Sequence, residues 1–250
     1  MRRGSAEMTQ ETGDRKEKCA SPCDLKDKTR EKYDVQWEGQ DERAAANRRK
    51  NLSVVADPII RMAMPFSGKV VADLGIGTGS LAFRAMELSP PKEMIGVDFS
   101  RPGLRVARRT SKHSGFRDMD VELVQADLER LPLTNKSVDI VLSQATINLL
   151  PSKCVALREI ARVSRPGAKV AISDAFRTTK PDEDEPWEQC VAGAVTVGEF
   201  TELAMDAGLL VTNHIDMTHQ VRALVAAKKW DWQEFIEHNL DYRGFLLVRG

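Results

Sequence analysis

A glycine-rich loop follows the first strongly apolar run of the chain. Residues 73–79 read Asp-Leu-Gly-Ile-Gly-Thr-Gly, and a helix-forming segment begins at Ser80. Glycines at this point permit a tight turn and let a ligand approach the backbone closely. The start of the following helix adds unpaired N–H groups that suit a carboxylate or a phosphate. The loop alone is also compatible with an ordinary strand-to-helix turn, so its interpretation depends on a second feature.

A carboxylate supplies that second feature. Asp98 ends the next apolar run, nineteen positions after Gly79. An acid at such a strand end can accept hydrogen bonds from both hydroxyl groups of a ribose. It could also cap the helix that follows at Arg101, and the two roles can coexist. Loop and carboxylate together predict a nucleoside ligand, without distinguishing a nicotinamide cofactor from S-adenosylmethionine.

Alternating strands and helices must hold these residues in place. Short, nearly continuous apolar runs are typical of strands that are buried on both faces of a sheet. Such runs occur at residues 70–74, 94–97, 121–124, 138–142, 169–172, 209–212 and 245–248. Helix-like segments lie between most of the first five, at residues 80–88, 103–114 and 153–163. The alternation predicts an α/β fold with a mostly parallel sheet and helices on both faces.

The segment that precedes this sheet differs from it in composition. Residues 1–30 are charged and polar, and we expect a flexible tail there because too little apolar surface is available to offset the entropy of ordering. Residues 31–68 are rich in helix formers and predict an N-terminal helical cap. Asp57-Pro58 is typical of a helix start, so we expect a second cap helix to begin at this point. Residues 69–250 then form the ligand-binding domain.

The spacing of the glycines separates the two candidate cofactors. A nicotinamide site uses G-x-G-x-x-G, whereas this loop has G-x-G-x-G with an acid two residues before the first glycine. The pattern resembles that of the class I S-adenosylmethionine-dependent methyltransferases. The resemblance continues in order at residues 126–128, 139–144 and 157–168. It implies a Rossmann-like, seven-stranded, mostly parallel sheet with helices on both faces.

The resemblance also implies a binding site for S-adenosylmethionine, whose product is S-adenosylhomocysteine. The glycine loop faces the methionine moiety, Asp98 holds the ribose and Asp127 receives the adenine amino group. Ser143 and Gln144 lie near the sulfonium. The cofactor-binding residues implied in this way are Tyr33, Asp73, Gly75, Gly77, Gly79, Asp98, Phe99, Ala126, Asp127, Leu128, Ser143 and Gln144.

Aromatic residues outside the sheet could close the site. Family members often place an N-terminal aromatic residue over the cofactor, which would suit Tyr33 and Trp37, although both could instead pack cap helices. Residues 176–200 and 217–240 are predicted to form a lid over the acceptor. The lid aromatics could line an apolar pocket, but we expect them to pack a helix onto the sheet; they are Trp187, Trp230, Trp232 and Phe235.

The second half of the chain is similar to the arsenite methyltransferases. The matching segments are residues 143–149, 173–174, 188–194 and 241–245. That subfamily binds trivalent arsenic through cysteine thiolates, which suit a soft metalloid. Cys190 matches one of those cysteines, and it is the catalytic residue that the resemblance implies. Its alternative interpretation is a small buried apolar side chain.

The other cysteines of an arsenic site have no match in this sequence. Ala145 stands where the resemblance implies a cysteine after the fourth strand. Cys19 and Cys23 lie in the expected tail and could fold over the pocket, and Cys154 starts a helix nine residues after Ala145. For a cytoplasmic protein we expect all four cysteines to be reduced, and we predict no metal site.

The function predicted from these observations is S-adenosylmethionine-dependent methylation of a small-molecule acceptor, such as a thiol or another soft nucleophile. Three alternatives stay open. They are an arsenite methyltransferase with a rearranged thiolate site, an RNA or protein methyltransferase, and a non-catalytic module that binds S-adenosylmethionine. A basic helix face would suit a nucleic-acid partner; it comprises Arg105, Arg108, Arg109, Lys112 and Arg117.

Charge and hydropathy narrow the class of partner. The 37 Lys and Arg residues balance the 37 Asp and Glu residues, which argues against a dedicated nucleic-acid binder. No apolar run approaches the ~20 residues that a membrane-spanning helix needs, and the N-terminus lacks the apolar segment of a signal peptide. We therefore expect a cytoplasmic protein without membrane contact, either a monomer or a homodimer.

Overall fold

The computed structural model describes residues 23–113, 115–116, 119–179 and 193–250. Its centre is a seven-stranded sheet with the strand order β3-β2-β1-β4-β5-β7-β6. The strands are β1 (Val70–Leu74), β2 (Glu93–Asp98), β3 (Val121–Gln125), β4 (Val138–Gln144), β5 (Ser164–Phe176), β6 (Leu209–Asp216) and β7 (Asp241–Arg249). The helices are α1 (Cys23–Trp37), α2 (Glu42–Ala63), α3 (Ser80–Leu88), α4 (Arg101–His113), α5 (Lys153–Val163), α6 (Val197–Asp206), α7 (Thr218–Ala226) and α8 (Gln233–Glu237).

The sheet is parallel except for β7, which is antiparallel to both of its neighbours. Strand β1 pairs with β2 on one side and with β4 on the other, so the strand order reverses at the carboxyl end of β1. Ligands of open α/β sheets bind at such a reversal. The topology confirms the Rossmann-like class I methyltransferase fold that the sequence predicted.

Two apolar clusters hold helices against the two faces of the sheet. Buried side chains of α2, α3, α4, α7 and α8 form one cluster, which Val71 of β1 joins from the sheet. Buried side chains of α5 and α6 form the other, together with Ala72 and Leu74. Because neighbouring residues of β1 point to opposite clusters, this strand is apolar except for Asp73, as its sequence indicated.

Helix α2 passes through Pro58 without a break, so the prediction that a new helix begins at Asp57-Pro58 is wrong. Proline removes one backbone N–H donor from a helix interior. The buried face of α2 nevertheless continues across it, with Val55 and Ile59 fully buried. Asp57 does not cap a helix start; it binds the guanidinium of Arg84 at 2.7 and 2.8 Å. Burial of one continuous apolar face outweighs the loss of one hydrogen bond.

Helix α1 begins at Cys23, inside the segment that we expected to be a polar tail. An ion pair from its first turn to the sheet accounts for the difference. The Nζ atom of Lys26 lies 2.6 Å from carboxylate oxygens of both Asp127 and Glu129. This contact crosses about a hundred residues of sequence, so composition alone could not indicate it. The tail residues 1–22 lie outside the described part of the chain.

The structure describes one of the two predicted lid segments completely and the other only in part. Residues 217–240 comprise α7, a short connection and α8. Of residues 176–200, the stretch 180–192 lies outside the described residues. In the part of the chain that the structure covers, no helix is both long enough and apolar enough to cross a membrane.

Candidate active site

A cavity of about 1260 Å³ opens at the carboxyl ends of β1, β2 and β4. The glycine loop and the ends of these strands line its floor. Helix α1, helix α2 and the connection between α7 and α8 line the rest of the cavity. The cavity therefore lies at the strand reversal, where the fold itself provides a ligand site.

The glycine loop has no room for side chains at its first and last glycines. All three glycines have left-handed backbone conformations, with φ of 81° at Gly75, 53° at Gly77 and 89° at Gly79. A Cβ atom at Gly75 would lie 2.2 Å from Oγ1 of Thr146, and one at Gly79 would lie 2.1 Å from the ring of Phe83. Glycine is therefore required both for the turn and for the close packing around it.

Two buried carboxylates border the loop. Asp98 accepts hydrogen bonds from the backbone N–H groups of Gly77 at 2.7 Å and Ser100 at 2.8 Å. Burial raises the pKa of Asp98 to about 6, although these hydrogen bonds oppose the shift. Among the described residues, Asp73 accepts one hydrogen bond, from the backbone N–H of Ala82 at 3.0 Å, and burial raises the pKa of Asp73 to about 8. Both side chains would be stabilised as carboxylates by a polar or cationic ligand.

The carboxylate that the family resemblance assigns to the adenine amino group already has partners in this structure. Oδ1 of Asp127 accepts the backbone N–H of Glu129 at 2.9 Å. Its Oδ2 atom binds Nζ of Lys26 at 2.6 Å. Helix α1 is thus tied across the end of the cavity that Asp127 lines.

Helix α1 is also fixed at its carboxyl end. The hydroxyl group of Ser100 donates to Asp34 at 2.8 Å, and Arg105 binds Glu38 at 3.1 Å. The ring of Trp37 lies beside the glycine loop, 3.6 Å from where a Cβ atom of Gly77 would stand. Trp37 therefore does both things considered for it, because it packs the cap and also borders the cavity.

Strand β4 ends in two residues with different roles. Gln144 lines the cavity, and its buried Nε2 atom has no hydrogen-bond partner within the described residues. Ser143 is not a lining residue; its hydroxyl group donates to the carbonyl of Leu74 at 2.8 Å and so joins β4 to β1. A buried donor without a partner is unusual in a folded protein, so Gln144 is suited to bind a ligand.

The turn after β4 is built around a buried carboxylate. Asp174 accepts the backbone N–H groups of Thr146 and Asn148, each at 3.1 Å. Burial raises the pKa of Asp174 to about 6. Ala145, whose φ is 52°, lines the cavity at the position where the arsenite resemblance implies a cysteine. A methyl group therefore occupies the place of that thiolate.

One wall of the cavity is aromatic. The rings of Trp230 and Trp232 lie 4.8 Å apart, and both meet the ring of Tyr242 edge-on, at 5.8 and 6.0 Å. Both tryptophans line the cavity while packing the α7–α8 connection onto the sheet. The two roles weighed for them from the sequence are therefore compatible. Carboxylates flank the pair; they belong to Asp231, Glu234 and Glu237.

The cysteines do not form a described site. Cys154 is buried at the start of α5 and is disulfide-bonded, so the expectation of a reduced thiol is wrong for this residue. That expectation rested on an assumed compartment, whereas bonding depends on which sulfur atoms meet in the fold. Cys19 and Cys190, and the side chain of Cys23, lie outside the described residues. Within the ranges the structure covers, no three His, Cys, Asp or Glu side chains are arranged to hold a metal ion.

The basic face of α4 is partly used inside the molecule. Arg105 pairs with Glu38, and Arg109 pairs with Glu42 at 3.1 Å while donating to the carbonyl of Gln40 at 2.7 Å. These contacts join α4 to the cap. They give the arginines a structural role that needs no nucleic-acid partner.

Most of the residues predicted to bind the cofactor meet in the cavity. Those that line it are Tyr33, Asp73, Gly75, Gly77, Asp98, Phe99, Ala126, Asp127, Leu128 and Gln144. Gly79 precedes α3 and Ser143 supports the strand ends, so both lie behind the lining. Sequence reasoning missed Lys26, Arg48 and Thr146, which also line the cavity. Charged residues on a helix carry no local signal for such a position, because most of them are solvated.

Comparison with known proteins places the chain in a family. The family model described as "Methyltransferase domain" (Methyltransf_31) matches residues 65–208, which contain the glycine loop and the strand ends around the cavity. An arsenite methyltransferase from Halobacterium salinarum is 33% identical over 147 residues, covering 56% of this chain and 37% of that protein. A fatty-acid O-methyltransferase from Mycolicibacterium smegmatis is 34% identical over 128 residues, covering 51% and 43%. The chain thus spans less than half the length of these two relatives.

Solved structures agree on the fold. A protein described as a sarcosine dimethylglycine methyltransferase from Galdieria sulphuraria superposes with a TM-score of 0.64 at 18% identity, covering 81% of this chain and 86% of that one. At this identity the likeness concerns the fold alone. The family match, the G-x-G-x-G loop and the seven-stranded topology together show that the chain belongs to the class I S-adenosylmethionine-dependent methyltransferases.

Proposed function

We propose that this protein transfers a methyl group from S-adenosylmethionine to a small-molecule acceptor, and that the acceptor is a thiol or another soft nucleophile. The observation that carries the proposal is one continuous cavity. It joins the glycine loop and its carboxylates to the aromatic wall formed by Trp230 and Trp232. A cofactor and a small acceptor can therefore meet in the same enclosure.

The cavity residues fit the cofactor on chemical grounds. The glycine loop offers backbone that a ligand can approach closely, because its three glycines carry no side chains. Asp98 retains acceptor capacity for the ribose hydroxyls beside its two backbone hydrogen bonds. Asp73 is a buried carboxyl group that a ligand ammonium would help to ionise. When bound, S-adenosylmethionine supplies an electrophilic methyl group on a sulfonium.

The protein's own contribution is orientation and exclusion of water. Helix α1 covers the cavity from the adenine end to the glycine loop, through Lys26 at one end and Trp37 at the other. The tryptophan wall lines the same cavity as Gln144 at the end of β4. An acceptor held between that wall and Gln144 would face the end of β4, where its attack on a methyl group can be aligned.

A soft acceptor suits a site whose chemistry needs no strong base. A thiol ionises near pH 8.5, so a fraction is thiolate at neutral pH and is already nucleophilic. Proton removal is then not the demanding part of the reaction. An arsenite substrate would require thiolate ligands, and the cavity has Ala145 at the position of one of them.

Labelled S-adenosylmethionine offered with two acceptor sets tests the proposal. One set is arsenite with glutathione; the other is a panel of small thiols and amines without arsenic, and mass spectrometry identifies the methylated products. We expect transfer to thiols of the second set, and loss of that transfer in Asp98→Ala. Methylated arsenic instead would support the arsenite activity and overturn the proposed acceptor. Transfer to neither set would contradict a small-molecule acceptor of this kind and direct the search to macromolecules.

A further inference from the structure

Helix α2 presents a guanidinium group to the cavity. Arg48 lines the cavity and is partly buried, and its Cζ atom lies 4.7 Å from the centre of the Trp37 ring. Leu52, one turn further along α2, also lines the cavity. This face of the helix is therefore part of the binding site and not of the outer surface.

Two arginines near the cap have carboxylate partners, whereas Arg48 lines the cavity without one among the described residues. Arg49 binds Glu87 at 3.0 Å and Arg84 binds Asp57 at 2.7 Å. Within the part of the chain that the structure describes, Arg48 has no ion pair and no hydrogen bond; its contact is the face of the Trp37 ring. Its five N–H donors are therefore free to bind a ligand.

The surroundings make that free charge unfavourable without a ligand. Burial lowers the pKa of the Arg48 guanidinium below its ordinary value. An arginine nevertheless stays protonated in a protein. A partly desolvated cation without an anion is therefore present at the cavity wall, and a carboxylate ligand would relieve it through two parallel hydrogen bonds.

The position of Arg48 joins the two ends of the cavity. The Trp37 ring that it covers lies against the glycine loop, near Gly77. On its other side Arg48 borders a small depression together with Lys229, the residue before Trp230 of the aromatic wall. A carboxylate at Arg48 would thus lie between the predicted methionine end of the cofactor and the predicted acceptor wall.

We propose that Arg48 is the carboxylate-binding residue of this cavity. The proposal rests on the proposed function, because that function supplies the two possible carboxylates. One belongs to the methionine moiety of S-adenosylmethionine, and the other to the acceptor. The contact between Trp37 and the glycine loop favours the cofactor as the source.

Binding of two forms of the cofactor distinguishes these sources. S-Adenosylmethionine carries the carboxylate, whereas decarboxylated S-adenosylmethionine keeps the ammonium, the sulfonium and the nucleoside but lacks it. Calorimetric titration compares the wild type with Arg48→Gln, Arg48→Lys and the control Arg43→Gln, which removes an exposed charge from the same helix. We expect Arg48→Gln to weaken the binding of S-adenosylmethionine about 10- to 100-fold, the range for a charged hydrogen-bonding group. Binding of the decarboxylated form should change by less than about twofold.

The conservative variant and the control exclude a structural effect. Arg48→Lys should retain part of the affinity for S-adenosylmethionine, because it keeps the charge and loses the bidentate geometry. Arg43→Gln should leave both titrations unchanged. Equal weakening of both cofactor forms in Arg48→Gln would show that the residue supports the cavity wall in general, and would overturn the proposal.

A second arm tests the acceptor as the source. The protein saturated with S-adenosylhomocysteine is titrated with 3-mercaptopropionate and with 2-mercaptoethanol, which differ by a carboxylate. Preference of the wild type for 3-mercaptopropionate, lost in Arg48→Gln, would assign the carboxylate to the acceptor. If Arg48→Gln bound the cofactor forms and both thiols as the wild type does, the proposal would be overturned while the methyltransferase assignment stayed intact. A wild type that fails to bind S-adenosylmethionine would overturn both.

Discussion

The Nζ atom of Lys26 lies 2.6 Å from Oδ2 of Asp127, so helix α1 is tied to the carboxylate that the family resemblance assigns to the cofactor's adenine. The same ammonium lies 2.6 Å from Glu129, whose side chain is only 4% exposed. One lysine therefore neutralises two carboxylates and closes the cavity over its adenine end. An adenine amino group that binds Asp127 must compete with this lysine.

Removal of that lysine should accelerate cofactor entry. In Lys26→Met the ion pair that fastens α1 is lost, so we expect S-adenosylmethionine to associate several-fold faster than with the wild type. The free energy of unfolding should fall by about 1–3 kcal/mol, since Lys26 is partly exposed but Glu129, which loses its ion-pair partner, is buried. Stopped-flow tryptophan fluorescence reports the association rate. Lys50→Met, which removes an exposed lysine of α2, is the control; association rates that match in both variants would rule out the fastening role.

The ribose assignment predicts a loss of cofactor affinity in Asp98→Ala. We expect binding of S-adenosylmethionine to weaken by roughly 1–3 kcal/mol, the scale of a buried charged hydrogen-bonding group. Isothermal titration calorimetry measures this directly. Asp206→Ala, at the exposed end of α6, should bind like the wild type. Unchanged affinity in Asp98→Ala would show that the ribose is held elsewhere.

Substitution of Gly75 in the glycine loop should destabilise the fold through steric overlap in addition to backbone strain. Gly75→Ala would place a Cβ atom 2.2 Å from Thr146, whereas Gly68→Ala meets nothing within 4 Å although its φ is also positive, at 74°. Both substitutions carry the left-handed penalty of about 1–2 kcal/mol. We expect Gly75→Ala to cost about 1–3 kcal/mol more, as overpacking does. Urea unfolding of the two variants measures the difference; equal losses would mean that the loop can relax around a methyl group.

The buried carboxyl group of Asp73 predicts a pH dependence of stability. Its folded-state pKa is raised to about 8, whereas in the unfolded chain it ionises near pH 4. Between these values the unfolded state binds fewer protons than the folded state, so the free energy of unfolding falls as pH rises towards 8. Compared with Asp73→Asn, the wild type should lose about 1–2 kcal/mol more between pH 6 and pH 8. Parallel urea titrations at the two pH values check this, and identical losses in both proteins would contradict the burial effect.

Local sequence was sufficient for the central sheet and for the floor of the site. Apolar runs marked the central strands β1, β2 and β4 because those strands are almost entirely buried. The spacing of Gly75, Gly77 and Gly79 reflects a turn that excludes side chains at its first and last glycines. Asp98 could be found because its position at a strand end is fixed by the fold. In each of these cases the physical constraint acts over a few neighbouring residues.

The rest depended on contacts between distant segments. Pro58 had the local signature of a helix start, but burial of the apolar face of α2 continues the helix through it. The roles of Lys26 and Arg48 follow from which side of a charged helix faces the cavity. The state of Cys154 follows from the meeting of two sulfur atoms in space. Tertiary packing determines each of these features, and no short window of sequence contains all the residues that take part in that packing.

The most direct test of the central claim is the stoichiometry of a single incubation. Purified protein, methyl-deuterated S-adenosylmethionine and a small thiol are mixed, and mass spectrometry quantifies S-adenosylhomocysteine and the methylated thiol. The account predicts that the two products appear in equal amounts, depend on the thiol, and fall sharply in Asp98→Ala when S-adenosylmethionine is below the concentration that saturates this variant. S-Adenosylmethionine that binds but yields no deuteromethyl thiol, or equal yields from wild type and variant, would contradict it.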